Sequence, residues 1–187
     1  MIQHRLSPWR VIASSYPLSS RWLRVRLDRC LTARGIEIPD YYVVERPDCV
    51  MIFAVTESDE VLTVRQYKHG SGRVVWELPA GQIESDEEPA EAARRELFEE
   101  TGYWADEVDA LGVLDLSPAM LTTRAWAFLC RSVRYEGGHM PDASEEIAVE
   151  RMPLSAFPDH LGCEGIRDAA SVAISFLALR RLRMHLG

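Results

Sequence analysis

Three glutamates are spaced so that one turn of a helix would bring their carboxylates together. Glu96 and Glu100 are four residues apart, which places them on one helix face, and Glu99 follows Glu96 by three on the neighbouring edge. Like charges at this spacing destabilise a helix unless water or a cation compensates them. A solvated acidic face is the ordinary explanation. A hard divalent cation such as Mg²⁺, which takes oxygen ligands, is the chemical alternative.

The helix that would carry these acids has marked ends. Pro89 suits the first helical turn and Gly102 the position just past the end, so a helix is predicted over Pro89–Thr101. Acids late in a helix face the negative end of its dipole, which costs roughly 0.3–1 kcal/mol each unless something offsets the charge. Leu97 and Ala93 can anchor this helix against a sheet. The acidic face would then border buried surface, which favours a bound cation over plain solvation.

The other predicted elements are mostly strands. Apolar and charged residues alternate from Trp22 to Leu31, and the β-rich run Tyr41–Glu45 follows the turn-prone Arg34-Gly35, so a hairpin is predicted. The apolar run Cys49–Val55 predicts a strand covered on both faces. Apolar residues at helical spacing from Gly165 to Leu186 predict a long amphipathic helix. Further strands are predicted at Val61–Tyr67, Val74–Gly81, Val108–Leu116, Thr123–Val133 and Ile147–Met152.

The composition limits the partners of the protein. Its 187 residues are 47% hydrophobic, which is enough for one main core. The turn-forming pair Pro47-Asp48 predicts a boundary between an N-terminal β lobe over 1–47 and a main domain over 48–187. A net charge of −8 disfavours nucleic acid and anionic membranes. Four scattered cysteines without a CxxC pair indicate reduced thiols, and no apolar run could span a bilayer. We expect a cytoplasmic protein with a small-molecule partner, no nucleic acid and no membrane.

The acidic segment resembles the signature of the Nudix hydrolases. That signature requires Gly, five residues, Glu, seven residues, Arg-Glu, an aliphatic residue, any residue, Glu-Glu, any residue, Gly and a last aliphatic residue. Seven fixed positions at roughly 7% usage each give a chance match on the order of one in a hundred million per starting point. Only the aromatic last position departs from it. The matching residues are Gly81, Glu87, Arg95, Glu96, Leu97, Glu99, Glu100, Gly102 and Tyr103.

The resemblance implies a fold and a metal centre. The fold is α+β, a mixed β-sheet sandwiched between helices, with a small N-terminal β-hairpin lobe. By resemblance, metal is held by the three glutamates of the signature, Glu96, Glu99 and Glu100, and by the carbonyl of Ala80. Arg95 and Glu87 match the pair that ties the helix to its preceding loop. The implied cofactor is Mg²⁺, for which Mn²⁺ can substitute.

The approach to the signature, RQYKHGSGRVVWELPAG, is similar to the ADP-ribose pyrophosphatase branch of the family. In that branch Glu77 and Pro118 match positions that contact substrate, although a proline after a strand is also an ordinary turn former. Ala119 replaces a glycine common in the branch, which leaves the base and the sugar open. The resemblance implies hydrolysis of ADP-ribose or a related nucleotide sugar to two monophosphates. The alternatives are another nucleotide sugar such as GDP-mannose, or a ligand-sensing domain without turnover.

Several further roles are implied by the same branch. A glutamate before the last β-segment serves as the base or as an extra metal ligand, and Glu145 and Glu146 stand there, although loop acids are usually only solvated. The N-terminal lobe of the branch helps to build a homodimer and to hold the nucleobase. Aromatic residues of this lobe could equally pack at an ordinary interface. The candidates for stacking on the base are Trp22, Tyr41 and Tyr42, and those for binding phosphate are Arg65, Lys68 and Arg73.

Overall fold

The computed structural model of the chain describes residues 7–21, 23–138, 146–162 and 164–184. Its contacts divide the chain into two compact units. The first unit comprises Met1–Pro47 together with Asp115–Thr123, and the second comprises Asp48–Leu114 together with Arg124–Gly187. Sequence reasoning had expected Asp115–Thr123 within the main domain.

A three-stranded antiparallel sheet forms the first unit. Its strands are β1 (Arg10–Ser19), β2 (Arg24–Leu31) and β3 (Glu37–Glu45), in that order across the sheet. The β2–β3 pair is the predicted hairpin. Sequence analysis did not identify β1, because every residue of this strand is exposed and its apolar residues do not alternate cleanly. Pro17 lies where the β1–β2 register shifts, a place at which the missing N–H is tolerated.

The segment after the predicted strand at Val108–Leu116 joins this first sheet. The Val44 N–H donates to the Met120 carbonyl at 2.7 Å, and the Thr122 N–H donates to the Val44 carbonyl at 3.1 Å. The Tyr41 hydroxyl donates to the Ala119 carbonyl. These bonds satisfy backbone groups at the edge of β3 and explain why a loop far along the chain belongs to the N-terminal unit.

The second unit contains a mixed eight-stranded sheet. Its strands are β4 (Cys49–Thr56), β5 (Glu60–Lys68), β6 (Arg73–Glu77), β7 (Ala80–Gln82), β8 (Tyr103–Trp104), β9 (Val108–Asp115), β10 (Arg124–Tyr135) and β11 (Ile147–Pro153). The main path runs β11-β5-β4-β10-β8, with β6 beside β5, β7 beside β4 and β9 beside β10. The β4–β10 pair is parallel, and the β4–β5, β4–β7, β5–β6, β5–β11 and β8–β10 pairs are antiparallel.

Two α-helices cover the two faces of this sheet. The buried residues of β4 alternate between two cores: Ile52 packs with Leu97 of α1 (Pro89–Thr101), and Phe53 packs with Ile174 of α2 (Ala169–Arg181). Successive strand residues point to opposite faces, so each helix has its own core layer. The predicted α+β architecture, a mixed sheet sandwiched between helices, is observed.

The second helix is shorter than predicted. It begins at Ala169 rather than at Gly165, because the Asp168 side chain accepts a hydrogen bond from the Ser171 N–H at 2.7 Å and caps the first turn. Ile166 is buried but bridges to Leu161, so its helical spacing in sequence reflected loop packing. Neither described helix has the length and apolar character needed to cross a membrane.

Candidate active site

Helix α1 presents acids beside a buried anchor. Its inner face buries Ala92, Ala93 and Leu97 completely, so the helix is fixed against the sheet. Gly102 ends it in the left-handed region at φ 74°, with its N–H donating to the Phe98 carbonyl at 2.8 Å. The last turn carries no basic residue. The acids of this turn therefore meet the negative end of the helix dipole without an adjacent cation on the same turn.

Arg95 joins the predicted acids to the preceding loop. Its Nε and Nη2 donate to the two Glu87 carboxylate oxygens at 2.8 and 2.9 Å, a bidentate pair. Its Nη1 donates to Glu96 at 2.7 Å and to Glu99 at 3.0 Å, and its Nη2 also donates to the Gln82 carbonyl at 3.0 Å. The hydrogen bond from Arg95 lowers the pKa of Glu87. The bond to Glu87 in turn raises the pKa of Arg95, so both groups stay charged near neutrality.

The second half of the acidic cluster lies against β7. Glu100 is only 4% exposed, and its Oε2 accepts a hydrogen bond from the Ala80 N–H at 3.0 Å. A Cβ atom at Gly81 would overlap the Glu96 carboxylate, so only glycine lets this carboxylate lie directly against the backbone. The structure thus brings Ala80, Glu96 and Glu100 together, and their role as metal ligands stays a prediction.

These residues fit a hard divalent cation. The donors are carboxylate oxygens next to an exposed edge of backbone, which is the ligand chemistry of Mg²⁺. Within the described ranges no three Asp, Glu, His or Cys side chains already converge as a closed cage. A closed cage is not required, since Mg²⁺ keeps several waters and usually takes one or two carboxylates in addition to substrate phosphates. Glu96 and Glu99 are held by Arg95, and Glu100 by the Ala80 N–H.

Lys68 and Glu77 form a second charged pair, across β5 and β6. The Lys68 Nζ lies 2.9 Å from Glu77 Oε1 and donates to Gln66 Oε1 at 2.5 Å. The Glu77 side chain is 12% exposed against 43% for Lys68. Burial raises the pKa of Glu77, an effect that Lys68 opposes and Asp168 reinforces. Lys68 is the only lysine in the chain.

Arg65 does not lie with Lys68. Its guanidinium stacks on the Trp76 ring, 4.2 Å from the centroid, and its Nε donates to Glu150 at 2.6 Å. Trp76 packs against the core layer of α2. Residues three apart on a strand point to opposite faces, so Arg65 and Lys68 lie on opposite faces of β5, and a phosphate-binding role for Arg65 stays a prediction.

The remaining predicted residues occupy several places. Tyr42 is 53% exposed on β3, and Pro118 is exposed in the turn that joins the first unit. Glu146 is exposed directly before β11; the next residue, Ile147, shares a groove with Thr101 at the C-terminal end of α1. Trp22 and Glu145 lie outside the described residues.

Sequence reasoning missed the surroundings of Tyr103. This residue is the aromatic departure at the last position of the signature, and it is 8% exposed. Its ring packs against that of Tyr135 with centroids 5.2 Å apart. Both rings line an open groove of about 470 Å³ together with Thr101, Ile147 and Arg151. The substitution of an aromatic for an aliphatic residue was the only signal in the sequence.

The chain belongs to the Nudix hydrolase family: the NUDIX domain matches residues 45–170, and the nucleoside diphosphate sugar hydrolase N-terminal domain matches residues 9–44. It is therefore an enzyme of a family that generally uses a divalent metal ion.

Named relatives and a solved structure agree with this assignment. An ADP-ribose pyrophosphatase of Bacillus subtilis (strain 168) is 30% identical over 74% of this chain and 76% of its own length. A methanol dehydrogenase activator of Bacillus methanolicus is 24% identical over 94% and 96% of the two chains. A crystal structure of an ADP compounds hydrolase matches with a TM-score of 0.85 at 24% identity, over 96% of each chain, and shows the same fold.

Proposed function

We propose that this enzyme hydrolyses the diphosphate bond of ADP-ribose or a related nucleotide sugar in the presence of Mg²⁺ and releases two monophosphates. The observation that carries the proposal is the Glu96 and Glu100 pair packed against the Ala80-Gly81 backbone. The N-terminal domain of nucleoside diphosphate sugar hydrolases over residues 9–44 supports this substrate class. The names of the ADP-ribose pyrophosphatase relatives support ADP-ribose within it.

The acids of α1 would hold the metal. Glu96, Glu99, Glu100 and the Ala80 carbonyl are the proposed ligands, with Mn²⁺ as a substitute for Mg²⁺. When bound, the metal supplies charge neutralisation of the diphosphate and a lowered pKa for coordinated water. Arg95 positions Glu96 and Glu99 through its hydrogen bonds and keeps their oxygens together before the metal arrives.

The reaction also needs a base and a phosphate-binding cation. We assign the base to Glu145 or Glu146: its carboxylate accepts a proton from the attacking water as the new P–O bond forms and the bridging P–O bond breaks. The departing phosphate leaves as a monophosphate. Lys68 is the proposed phosphate contact, and Glu77 orients its ammonium through the 2.9 Å pair. The Glu146 position before β11, next to the end of α1, supports its candidacy.

The N-terminal unit is proposed to hold the nucleobase and to form a homodimer. The domain limits proposed are 1–47 for this lobe and 48–187 for the catalytic domain. Exposed apolar side chains on β1, namely Val11, Tyr16 and Leu18, offer a surface for a second copy. Tyr42 is exposed enough to stack on a base, and Trp22 and Pro118 complete the proposed substrate contacts. Sedimentation of the purified chain would test the dimer.

The decisive test replaces one buried acid. Glu100→Gln keeps the shape of the side chain and removes its charge, so Mg²⁺-dependent release of monophosphates from ADP-ribose should fall by on the order of 100-fold or more. Glu91→Gln is the matched control, because Glu91 lies on the same helix and pairs only with Arg94 at the surface. Equal activity of Glu100→Gln and the parent, with normal circular dichroism, would remove the acids from the mechanism.

A panel of substrates separates the remaining candidates. Catalytic efficiencies for ADP-ribose, GDP-mannose and other nucleotide sugars should rank ADP-ribose first. A higher efficiency for GDP-mannose would keep the metal centre and change the substrate. Tight binding of a nucleotide without release of monophosphates, in Mg²⁺ or in Mn²⁺, would indicate a ligand-sensing domain.

A further inference from the structure

An arginine-lined groove lies along β6 and the loop that precedes α2, and none of the acids of α1 lines it. Its volume is about 310 Å³, at the lower end of the range for small-ligand pockets. Three arginines line it, Arg65, Arg73 and Arg167, together with Trp76 and Glu164. The chain has a net charge of −8. Three arginines around one small groove therefore make the electrostatic potential locally positive in an otherwise negative protein.

The first arginine is held in a fixed orientation. Arg65 is fixed from two directions, by the ring of Trp76 at 4.2 Å and by Glu150 at 2.6 Å from its Nε. Trp76 is itself anchored, since its Nε1 donates to the Thr63 hydroxyl at 2.9 Å. The bond to Glu150 uses Nε and leaves the terminal nitrogens of Arg65 for another acceptor. A guanidinium restrained in this way loses little conformational freedom when it binds an anion.

The other two arginines carry charge that no carboxylate neutralises within the described part of the chain. Arg73 begins β6 and Arg167 precedes α2, and neither has an acidic partner among the described residues. By contrast, ten other arginines pair with a carboxylate. Arg167 and Glu164 lie on a compact loop in which a Cβ at Gly165 would overlap the His160 carbonyl. The Ile166 N–H donates to that carbonyl at 2.8 Å, which holds the backbone at Ile166, next to Arg167.

We propose that this groove binds a small phosphate monoester that also carries hydroxyl groups, such as a sugar phosphate. Planar guanidinium groups match phosphate oxygens in a bidentate manner, and three of them suit a dianion. The Glu164 carboxylate would repel a bare anion, but it accepts hydrogen bonds from hydroxyl groups. The combination selects a ligand with a phosphate at one end and hydroxyls at the other. The site is separate from the hydrolytic centre and does not depend on the proposed substrate.

Calorimetric titration of the full chain with ribose 5-phosphate tests the proposal. The buffer contains EDTA, so that metal-dependent binding at the acids of α1 is suppressed. Ribose 5-phosphate should bind at one site, more tightly than inorganic phosphate and far more tightly than ribose. The double variant Arg73→Gln, Arg167→Gln should weaken the affinity by at least about tenfold, and added NaCl should weaken it in the parent. Equal affinity of ribose and ribose 5-phosphate would overturn the proposal.

Two matched variants locate the binding. The double variant Arg180→Gln, Arg183→Gln removes the same charge from the far end of α2 and should bind ribose 5-phosphate as the parent does. Lys68→Gln should also bind normally, because Lys68 does not line the groove and its ammonium is held by Glu77 and Gln66. If Lys68→Gln abolishes binding while Arg73→Gln, Arg167→Gln retains it, the phosphate binds near the acids of α1 and the groove is not the site. Thermal midpoints without ligand confirm that each variant is folded.

Discussion

Helices α1 and α2 have the same length of 13 residues and cover opposite faces of one sheet, yet their ends are built differently. Helix α2 has a side-chain cap at Asp168 and ends with Arg180 and Arg181, which complement the helix dipole. Helix α1 has no side-chain cap at Glu88, and its last turn carries acids without a basic residue. Helix α2 thus has the side-chain cap and the terminal basic residues that stabilise a helix. Helix α1 lacks both, and its last turn is the one that carries the acids.

The difference indicates where α1 obtains its stability. Helix α1 depends on the burial of Leu97 and on Arg95, which offsets the charge of Glu87, Glu96 and Glu99. Such departures from the usual capping and charge preferences of helices are expected at functional sites, where the rest of the fold compensates for the lost stability. Helix α2 needs no such compensation. Substitutions of Arg95 and of the acids that it holds should therefore change activity, and those in α2 should mainly change stability.

The largest expected effect comes from Arg95→Gln. Without the guanidinium, three carboxylates repel one another and the helix loses its tie to the loop, so the free energy of unfolding should fall by about 2–3 kcal/mol. Misplaced metal ligands should lower kcat on the order of 100-fold. Urea denaturation and the monophosphate assay measure the two losses. Arg94→Gln, on the same helix, is the control, and an Arg95→Gln enzyme of normal activity would contradict the comparison.

The matching substitution in α2 is Asp168→Ala. Loss of the side-chain cap on the Ser171 N–H should lower the free energy of unfolding by about 1 kcal/mol. The kcat should change little, because no acid of the proposed centre lies on α2 and Asp168 acts on the proposed site only through its charge near Glu77. Asp168→Asn, which keeps a capping oxygen, should recover most of the stability. A large fall in kcat for Asp168→Ala would show that the two helices are not functionally separate.

The stability that the Arg95–Glu87 pair gives to the fold should depend on pH. The hydrogen bond from Arg95 lowers the folded-state pKa of Glu87 below its ordinary value of 4.5, so this bond stabilises the fold fully above that value. The contribution is lost as the pH falls through the folded pKa. Glu87→Gln should thus cost on the order of 1 kcal/mol at pH 7, and the difference from the parent should shrink below about pH 4. Urea titrations across this range measure it, and a constant difference would contradict the assignment.

The smallest expected effect concerns a buried hydroxyl of α2. Ser175 Oγ is buried without a hydrogen-bond partner among the described residues, whereas Ser171 Oγ accepts a bond from the Leu78 N–H at 3.1 Å. Ser175→Ala should leave stability unchanged or raise it by up to about 1 kcal/mol, and Ser171→Ala should lower it by a similar amount. Thermal unfolding of the two variants compares them directly. A destabilised Ser175→Ala would show that this hydroxyl has a partner.

The sequence predicted those parts of the fold whose signals are local. Pro89 and Gly102 mark the two ends of α1, and this helix forms as predicted. The apolar run Cys49–Val55 predicted a buried strand, and β4 forms there. The start of α2 was wrong, because Ile166 continues the apolar spacing although it packs from a loop. Strand β1 was missed because all its residues are exposed and pattern reasoning depends on burial.

The site shows the same limits. Glu96 and Glu100 were placed together by helical spacing alone, and their contact with Ala80 follows from the strand that precedes the helix. Arg65 was grouped with Lys68 by proximity in sequence. The odd interval of three between them already indicates opposite faces of a strand, so a stricter reading would have separated them. The Tyr103 and Tyr135 contact joins distant segments, and no local pattern predicts it.

The parallel pairing of β4 with β10 has a consequence for how the chain folds. Cys49 pairs with Ala125, so the centre of the sheet cannot close until most of the polypeptide has been synthesised. Helix α1 and the β4–β5 hairpin can form earlier, since their contacts are local. During this interval the edge of β4 is a hydrophobic strand without its neighbour, a state that favours aggregation and makes the growing chain a natural client for chaperones.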